Sequence, residues 1–66
     1  MSTSRTETII INFIEGAFSD DLKRYTMEEA IEDCRYLTME LKSEGEEVPE
    51  DLTPETVYEI IRQFAE

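Results

Sequence analysis

The chain has 66 residues, of which 17 are acidic, six are basic and none is histidine, so its formal net charge is −11. This length predicts one domain near the lower limit for a self-sufficient core; the lack of histidine excludes the common zinc-finger patterns, and the single cysteine excludes an intrachain disulfide. So acidic a chain is repelled by nucleic acid and by anionic membrane surfaces, and its natural complements are basic proteins or cations.

The first predicted helix spans about 5–18. Ser4 and Glu7 have the spacing of a capping box, which places the start of the helix near residue 5. Its apolar residues cover more than half of the helix circumference, which is wider than one partner surface needs. These residues are Ile9, Ile10, Ile11, Phe13, Ile14, Ala17 and Phe18. Such a helix is either central in the domain or buried by a second copy of the chain.

The end of this first helix is defined less sharply than its start. Gly16 and the polar run 19–21 weaken the helix, so we expect it to end or kink within 17–20. The apolar spacing nevertheless continues to Tyr25. A further helical turn as far as Arg24 is therefore the alternative.

A strand over Ile9–Ile14 is the competing interpretation, since the segment is rich in β-branched and aromatic residues. Strict alternation fails, because the three consecutive isoleucines would point to both faces of a sheet. A single strand would also need a partner from another molecule. We therefore favour a helix. The strand alternative would give a dimer with the layout of ribbon-helix-helix DNA-binding proteins, although the scarcity of basic residues argues against DNA binding.

The stretch from Thr26 to Gly45 gives the strongest helix prediction in the chain. Thr26 and Glu29 form a second capping box, and glycine commonly ends a helix in the left-handed conformation. The apolar residues between these ends fall in an arc of roughly 120°, the width of a stripe that faces a core. They are Met27, Ala30, Ile31, Cys34, Leu37 and Leu41. We predict a helix over 27–44, with Cys34 buried as a small hydrophobe of low reactivity.

An acidic loop over 46–52 and a last helix follow. Val48 and Leu52 are expected to hold the loop against the core. Thr53 is an N-cap followed by proline at the first helical position, which predicts a helix over 54–65. The apolar stripe of this helix consists of Val57, Ile60, Ile61 and Phe64. The expected fold is all-α, a compact three-helix bundle that forms a single domain over 1–66.

The candidate partner-binding surface is the face of the predicted 27–44 helix that lies opposite its apolar stripe. Its acids form like-charged pairs four residues apart, which cost helix stability, and an aromatic residue lies among them. The candidate residues are Glu28, Glu29, Glu32, Asp33, Tyr36 and Glu40. An aromatic side chain exposed within a charged face is typical of a binding anchor. The alternative is that Tyr36 packs on a neighbouring helix and the acids form a solvated face.

These patterns favour an interaction module over an enzyme. No histidine is available as a base, and so short a chain leaves little room for a catalytic pocket, so we expect no catalytic residues. The acidic loop lacks the order of an EF-hand, and we expect neither a metal nor a cofactor. The leading hypothesis is a module that binds and regulates a basic protein partner, in its sharpest version as a nucleic-acid mimic. The alternative is a structural or assembly subunit that self-associates without a dedicated acidic binding face.

Two further expectations concern assembly and location. The wide apolar surface of the first helix predicts a homodimer that uses residues drawn from Ile9, Ile10, Phe13 and Phe18. Repulsion between two acidic chains predicts that added salt strengthens this association. The longest uninterrupted apolar run is too short for a signal-peptide core or a membrane span. We therefore expect a cytoplasmic protein that contacts neither membrane nor nucleic acid directly.

Overall fold

The computed structural model describes residues 4–65, and within this range the chain forms α-helices and no β-strand. The helices are α1 (Arg5–Ile14), α2 (Ser19–Lys23), α3 (Met27–Ser43) and α4 (Pro54–Ala65). The predicted all-α class and helical-bundle architecture are confirmed. Helix α4 contacts each of the other three helices, so the last helix of the chain is the centre of the packing.

Helix α1 shows that the segment 9–14 is helical, and the strand interpretation is wrong. The Ser4 hydroxyl accepts a 3.1 Å hydrogen bond from the Glu7 amide, as its capping position predicts. The helix ends at Ile14, four residues earlier than the predicted boundary. Gly16 has φ of +92°, a left-handed conformation that glycine adopts at little cost and that stops the helix.

The segment 19–23 is a separate short helix rather than a continuation of α1. The amides of Asp21 and Leu22 both donate to the carbonyl of Phe18, which starts the new helical turn. Leu22 is partly buried against the core and Tyr25 is buried within it. The apolar spacing that suggested continuity therefore reflects two elements that pack on the same core.

The core draws buried side chains from α1, α3 and α4 and from both of the connections that flank α3, and Leu22 of α2 packs against it. Its buried members are Ile10, Ile14, Tyr25, Ala30, Cys34, Leu37, Leu41, Leu52, Val57 and Ile61. Helix α1 contributes one narrow face to it, because Thr6 joins Ile10 and Ile14 as the buried residues of that helix. The remaining apolar residues of α1 lie on its flanks, which explains why its apolar surface seemed too wide for one partner.

Helix α3 begins at the predicted residue, ends one residue before the predicted boundary, and has a narrower buried stripe than predicted. The Thr26 hydroxyl accepts a 3.2 Å hydrogen bond from the Glu29 amide. After the helix, Gly45 has φ of +74°, and the amide of Glu46 donates to the carbonyl of Leu41 at 2.8 Å, as in a Schellman motif. The buried residues of α3 are Ala30, Cys34, Leu37 and Leu41, whereas Met27 and Ile31 are exposed. The inclusion of those two residues in the core was wrong.

The acidic loop after α3 is held by α1 as well as by the core. Leu52 is buried and Val48 is partly buried, as expected. In addition, Arg5 donates a 2.6 Å hydrogen bond to the carbonyl of Glu47 and forms a 3.1 Å ion pair with Glu46. These long-range contacts were not predicted from the sequence. No helix within 4–65 is both long enough and apolar enough to cross a membrane.

Candidate functional site

The predicted partner-binding residues do not share one environment. Helix α3 exposes Glu28, Glu29, Glu32 and Glu40. Asp33 differs from these four because it is half-buried, and its Oδ2 accepts a 2.6 Å hydrogen bond from the Tyr25 hydroxyl. Asp33 therefore has a hydrogen-bond partner within the fold. The sequence pattern suggested a freely solvated surface acid, and the structure corrects this.

Tyr36 is both packed and exposed, so the two interpretations of this residue each describe part of its environment. Its ring centroid lies 5.8 Å from that of Phe13 on α1, with an angle of 41° between the ring planes. This tilted arrangement lies within the range that aromatic pairs favour. The Tyr36 side chain nevertheless remains 48% exposed. Packing on α1 therefore covers only part of the residue.

The Tyr36 hydroxyl is fixed as well as the ring. It donates a 2.8 Å hydrogen bond to Oε1 of Glu40, one helical turn further along α3. This hydrogen bond to the carboxylate raises the pKa of Tyr36, and the negative charge of Glu40 adds to the effect. The phenol therefore stays a neutral hydrogen-bond donor, and Glu40 is held beside it.

Three exposed apolar side chains form what we call the aromatic patch, defined as Phe13, Tyr36 and Met39. Phe13 is 36% exposed and Met39 is 64% exposed. A cleft of about 280 Å³ opens beside them, lined by Tyr36, Met39, Glu40 and Ser43. Sequence reasoning assigned Phe13 to a dimer surface instead, because nothing in the local pattern shows that α1 and α3 bring these rings together.

The predicted dimer residues are also distributed over different environments. Ile10 is fully buried in the core of its own chain, so it is not available to a second copy. Ile9 is partly buried against the same core, and Phe13 belongs to the aromatic patch. Phe18 alone of the four is largely free, with 77% of its side chain exposed immediately before α2.

A second apolar surface lies near Phe18 and was not predicted. We call it the α1–α4 groove, a depression of about 470 Å³ whose apolar lining is Ile11, Ile14, Ala17, Leu22 and Phe64. Phe64, at the end of α4, is 51% exposed. The groove and the aromatic patch lie on different sets of residues, so the two surfaces are separate candidates for binding.

The reactive side chains contribute little to either surface. Cys34 is buried as predicted, its thiol donates a 3.4 Å hydrogen bond to the carbonyl of Leu52, and burial raises the pKa of the thiol. Within 4–65, no group of three or more cysteine, aspartate or glutamate side chains is arranged to hold a metal ion. The surface features that remain are the aromatic patch and the α1–α4 groove.

Comparison with known proteins gives no match to a protein-family model, a curated protein or a solved structure. The functional interpretation therefore depends on the geometry and charge of the aromatic patch and of the α1–α4 groove.

Proposed function

We propose that this protein is an interaction module that binds and regulates a basic protein partner through the aromatic patch and the carboxylates beside it. The observation that carries this proposal is the exposure of Phe13, Tyr36 and Met39 next to one another on the surface. Aromatic residues and methionine are enriched at the centres of protein interfaces, and the rims of interfaces are polar. An apolar centre with acidic neighbours fits a partner that has an apolar contact ringed by basic residues.

The charge around the patch supports a basic partner. Glu32 and Glu40 lie one helical turn to either side of Tyr36, and both are exposed. Glu28 and Glu32, which are both exposed and four residues apart, repel one another along the helix, and a cationic partner relieves that repulsion. The net charge of −11 also accelerates encounter with a basic protein at low salt. In the sharper version, the carboxylates on successive turns of α3 mimic the phosphates of a nucleic acid.

Site-specific crosslinking tests this function. A photoreactive amino acid placed at Met39 should capture a basic protein from cell extract, and the yield should fall at high salt because screening weakens the attraction. The same group placed at Met27, an exposed methionine outside the aromatic patch, is the matched control. Equal capture from the two positions would contradict the proposal.

A purified partner then allows a quantitative test. Tyr36→Ala should weaken binding by about tenfold or more, the effect expected of an interface anchor. Ile31→Ala removes an exposed apolar side chain of the same helix outside the patch, and it should change the affinity by less than about twofold. Similar effects of the two substitutions would remove Tyr36 as the anchor.

The α1–α4 groove supports a second candidate function, assembly through self-association. Phe64, which is 51% exposed, lines this groove, and Phe18, which is 77% exposed, directly follows the groove residue Ala17 in the chain. In a two-fold dimer, Phe18 of each copy would enter the groove of the other, because an isologous interface pairs each patch with its counterpart. In this dimer the interface consists of the groove residues, and Ile10 does not take part because it is buried in its own chain.

Sedimentation at several salt concentrations tests self-association. The dimer should strengthen with added salt, because screening reduces the repulsion between two chains of charge −11. Phe18→Ser should shift the protein towards monomer without loss of helix, since the side chain is largely exposed. A monomer at all salt concentrations and at high micromolar protein would exclude this candidate.

A further inference from the structure

We propose that the cleft lined by Tyr36, Met39, Glu40 and Ser43 receives the guanidinium group of an arginine side chain from the partner. This inference deepens the function proposed above, and it rests on that function for the identity of the molecule that carries the arginine. The cleft measures about 280 Å³, slightly below the range of small-molecule pockets. Its size suits one long side chain rather than a complete small-molecule ligand.

The arrangement of Tyr36 and Glu40 provides two of the contacts that a guanidinium needs. Tyr36 packs against Phe13 of α1 and is still 48% exposed, so about half of the residue remains available to a cation. The Glu40 carboxylate is held next to the ring by the 2.8 Å hydrogen bond from the Tyr36 hydroxyl. That bond uses one of about four acceptor sites of the carboxylate, and the others are available for N–H donors.

The charge of the lining favours a cation. Glu40 supplies the one formal charge among the four lining residues, and it is negative. The two basic residues of α3, Arg35 and Lys42, are not part of the lining. The net charge of the whole chain, −11, has the same sign as the charge of the cleft, which adds to the attraction for a cationic side chain.

Arginine fits this site better than lysine does. A guanidinium is planar, stacks on aromatic rings and presents paired N–H donors to a carboxylate, whereas an ammonium is a compact and strongly hydrated charge. The apolar stem of arginine would lie along the thioether of Met39, which is 64% exposed in the free protein. Ser43 also lines the cleft, and a serine hydroxyl can accept a hydrogen bond from a guanidinium N–H.

The experiment is a titration followed by nuclear magnetic resonance, with N-acetyl-arginine methylamide as the probe. The arginine compound should cause saturable shifts of the Tyr36 ring signals and of the Met39 methyl signal. The matched citrulline compound has nearly the same shape but no charge, and it should bind at least about twofold to fivefold more weakly, the effect expected from one exposed cation–π contact. Equal responses to the two probes would overturn the proposal.

Two variants with the same change in net charge distinguish binding of the probe in the cleft from a general attraction of the probe to an acidic protein. Glu40→Gln should weaken the arginine probe by about twofold to fivefold, as expected for an exposed charged contact. Glu59→Gln, at an exposed position on α4 outside the cleft, should leave its binding within about twofold. If both variants weaken the probe equally, the probe responds to net charge and the cleft is not a guanidinium site.

The two proposals fail in different ways. If Tyr36 and Met39 do not respond to the arginine probe while crosslinking at Met39 still captures a basic protein, the guanidinium site is wrong and the interaction module stands. If crosslinking at Met39 captures no more than the control position while the probe binds as described, the cleft binds guanidinium and the proposed macromolecular function is wrong.

Discussion

The hydroxyl of Tyr25 donates a 2.6 Å hydrogen bond to Oδ2 of Asp33, eight residues further along the chain. Tyr25 is buried just before Thr26, the N-cap of α3, and Asp33 lies inside that helix. The ring of Tyr25 also stacks on that of Tyr58 in α4, with 6.3 Å between the ring centroids. One side chain therefore links the connection after α2 to both of the longest helices.

This environment predicts a loss of stability at alkaline pH. Burial raises the pKa of Tyr25, and the hydrogen bond to Asp33 raises it further. The unfolded chain releases the tyrosine proton near its ordinary pKa of about 10, whereas the folded chain keeps it to higher pH. The contribution of Tyr25 to stability is therefore fully present below about pH 10, and above that pH it falls by about 1.4 kcal/mol per pH unit.

Denaturant unfolding between about pH 8 and pH 11.5 measures this effect through the tyrosine titration range. The Tyr25→Phe variant should be less stable by about 1–2 kcal/mol at neutral pH, because a hydrogen bond to a carboxylate is lost. The same variant should show a shallower alkaline decline than the unmodified protein. Parallel profiles for the two proteins would contradict the assignment to Tyr25.

Asp33 and Glu32 are neighbours in sequence, and we predict opposite consequences when each is changed to lysine. Asp33→Lys should lower the free energy of unfolding by about 2 kcal/mol, because the buried Tyr25 hydroxyl loses its charged acceptor. Glu32→Lys should change it by less than about 0.5 kcal/mol, since Glu32 is exposed. The sequence pattern alone treats both positions as surface acids. Equal stabilities of the two variants would show that the Tyr25–Asp33 bond contributes nothing.

Cys34→Ser should be a mild change. The sequence alone suggests a buried hydroxyl without a partner, but the Leu52 carbonyl lies 3.4 Å from the Cys34 sulfur and can accept from serine. The shorter C–O bond of serine leaves a weaker hydrogen bond, and we expect a cost of about 1 kcal/mol. The native thiol should react slowly with a thiol reagent, because it is buried and burial raises its pKa. Fast labelling of the folded protein would contradict this orientation of α3.

Substitutions of Thr6 and of Asp51 should lower the stability of the protein by different amounts. Thr6 is almost fully buried on α1, and its hydroxyl donates to the carboxylate of Asp51 in the acidic loop. Asp51→Ala leaves that hydroxyl buried without its acceptor, which should cost about 1–3 kcal/mol. Thr6→Val keeps the shape of the side chain and leaves the exposed Asp51 to water, so it should cost less than Asp51→Ala. Chemical denaturation of the two variants measures the order, and the reverse order would contradict this account.

The positions of the helices were determined largely by the sequence itself. Ser4, Thr26 and Thr53 each accept a hydrogen bond from an amide three residues later, as their capping positions predict. Gly45 ends α3 in the left-handed conformation, as expected of a glycine after a helix. These features depend on residues within one or two turns of each other, so a linear sequence displays them directly.

The end of α1 shows where such local reasoning becomes ambiguous. The apolar spacing continues beyond Gly16, and it suggested a longer helix than the structure has. Hydrophobic periodicity indicates which residues face the core. When two successive helices pack on the same core, the periodicity can continue from one to the other although the helix is interrupted between them. The backbone conformation of Gly16 decides the matter, since its φ of +92° is incompatible with a continuing helix.

The sequence by itself determined the all-α class, the capping residues and most of the core, because these follow from composition and short-range periodicity. Only the tertiary structure decided which flank of each helix stays exposed. It buried Ile10, separated Asp33 from the surface acids, and placed Phe13 of α1 against Tyr36 of α3. The physical reason is that a helix shows its apolar residues in its own sequence but not the direction of its neighbours, which depends on how all four helices share one small core.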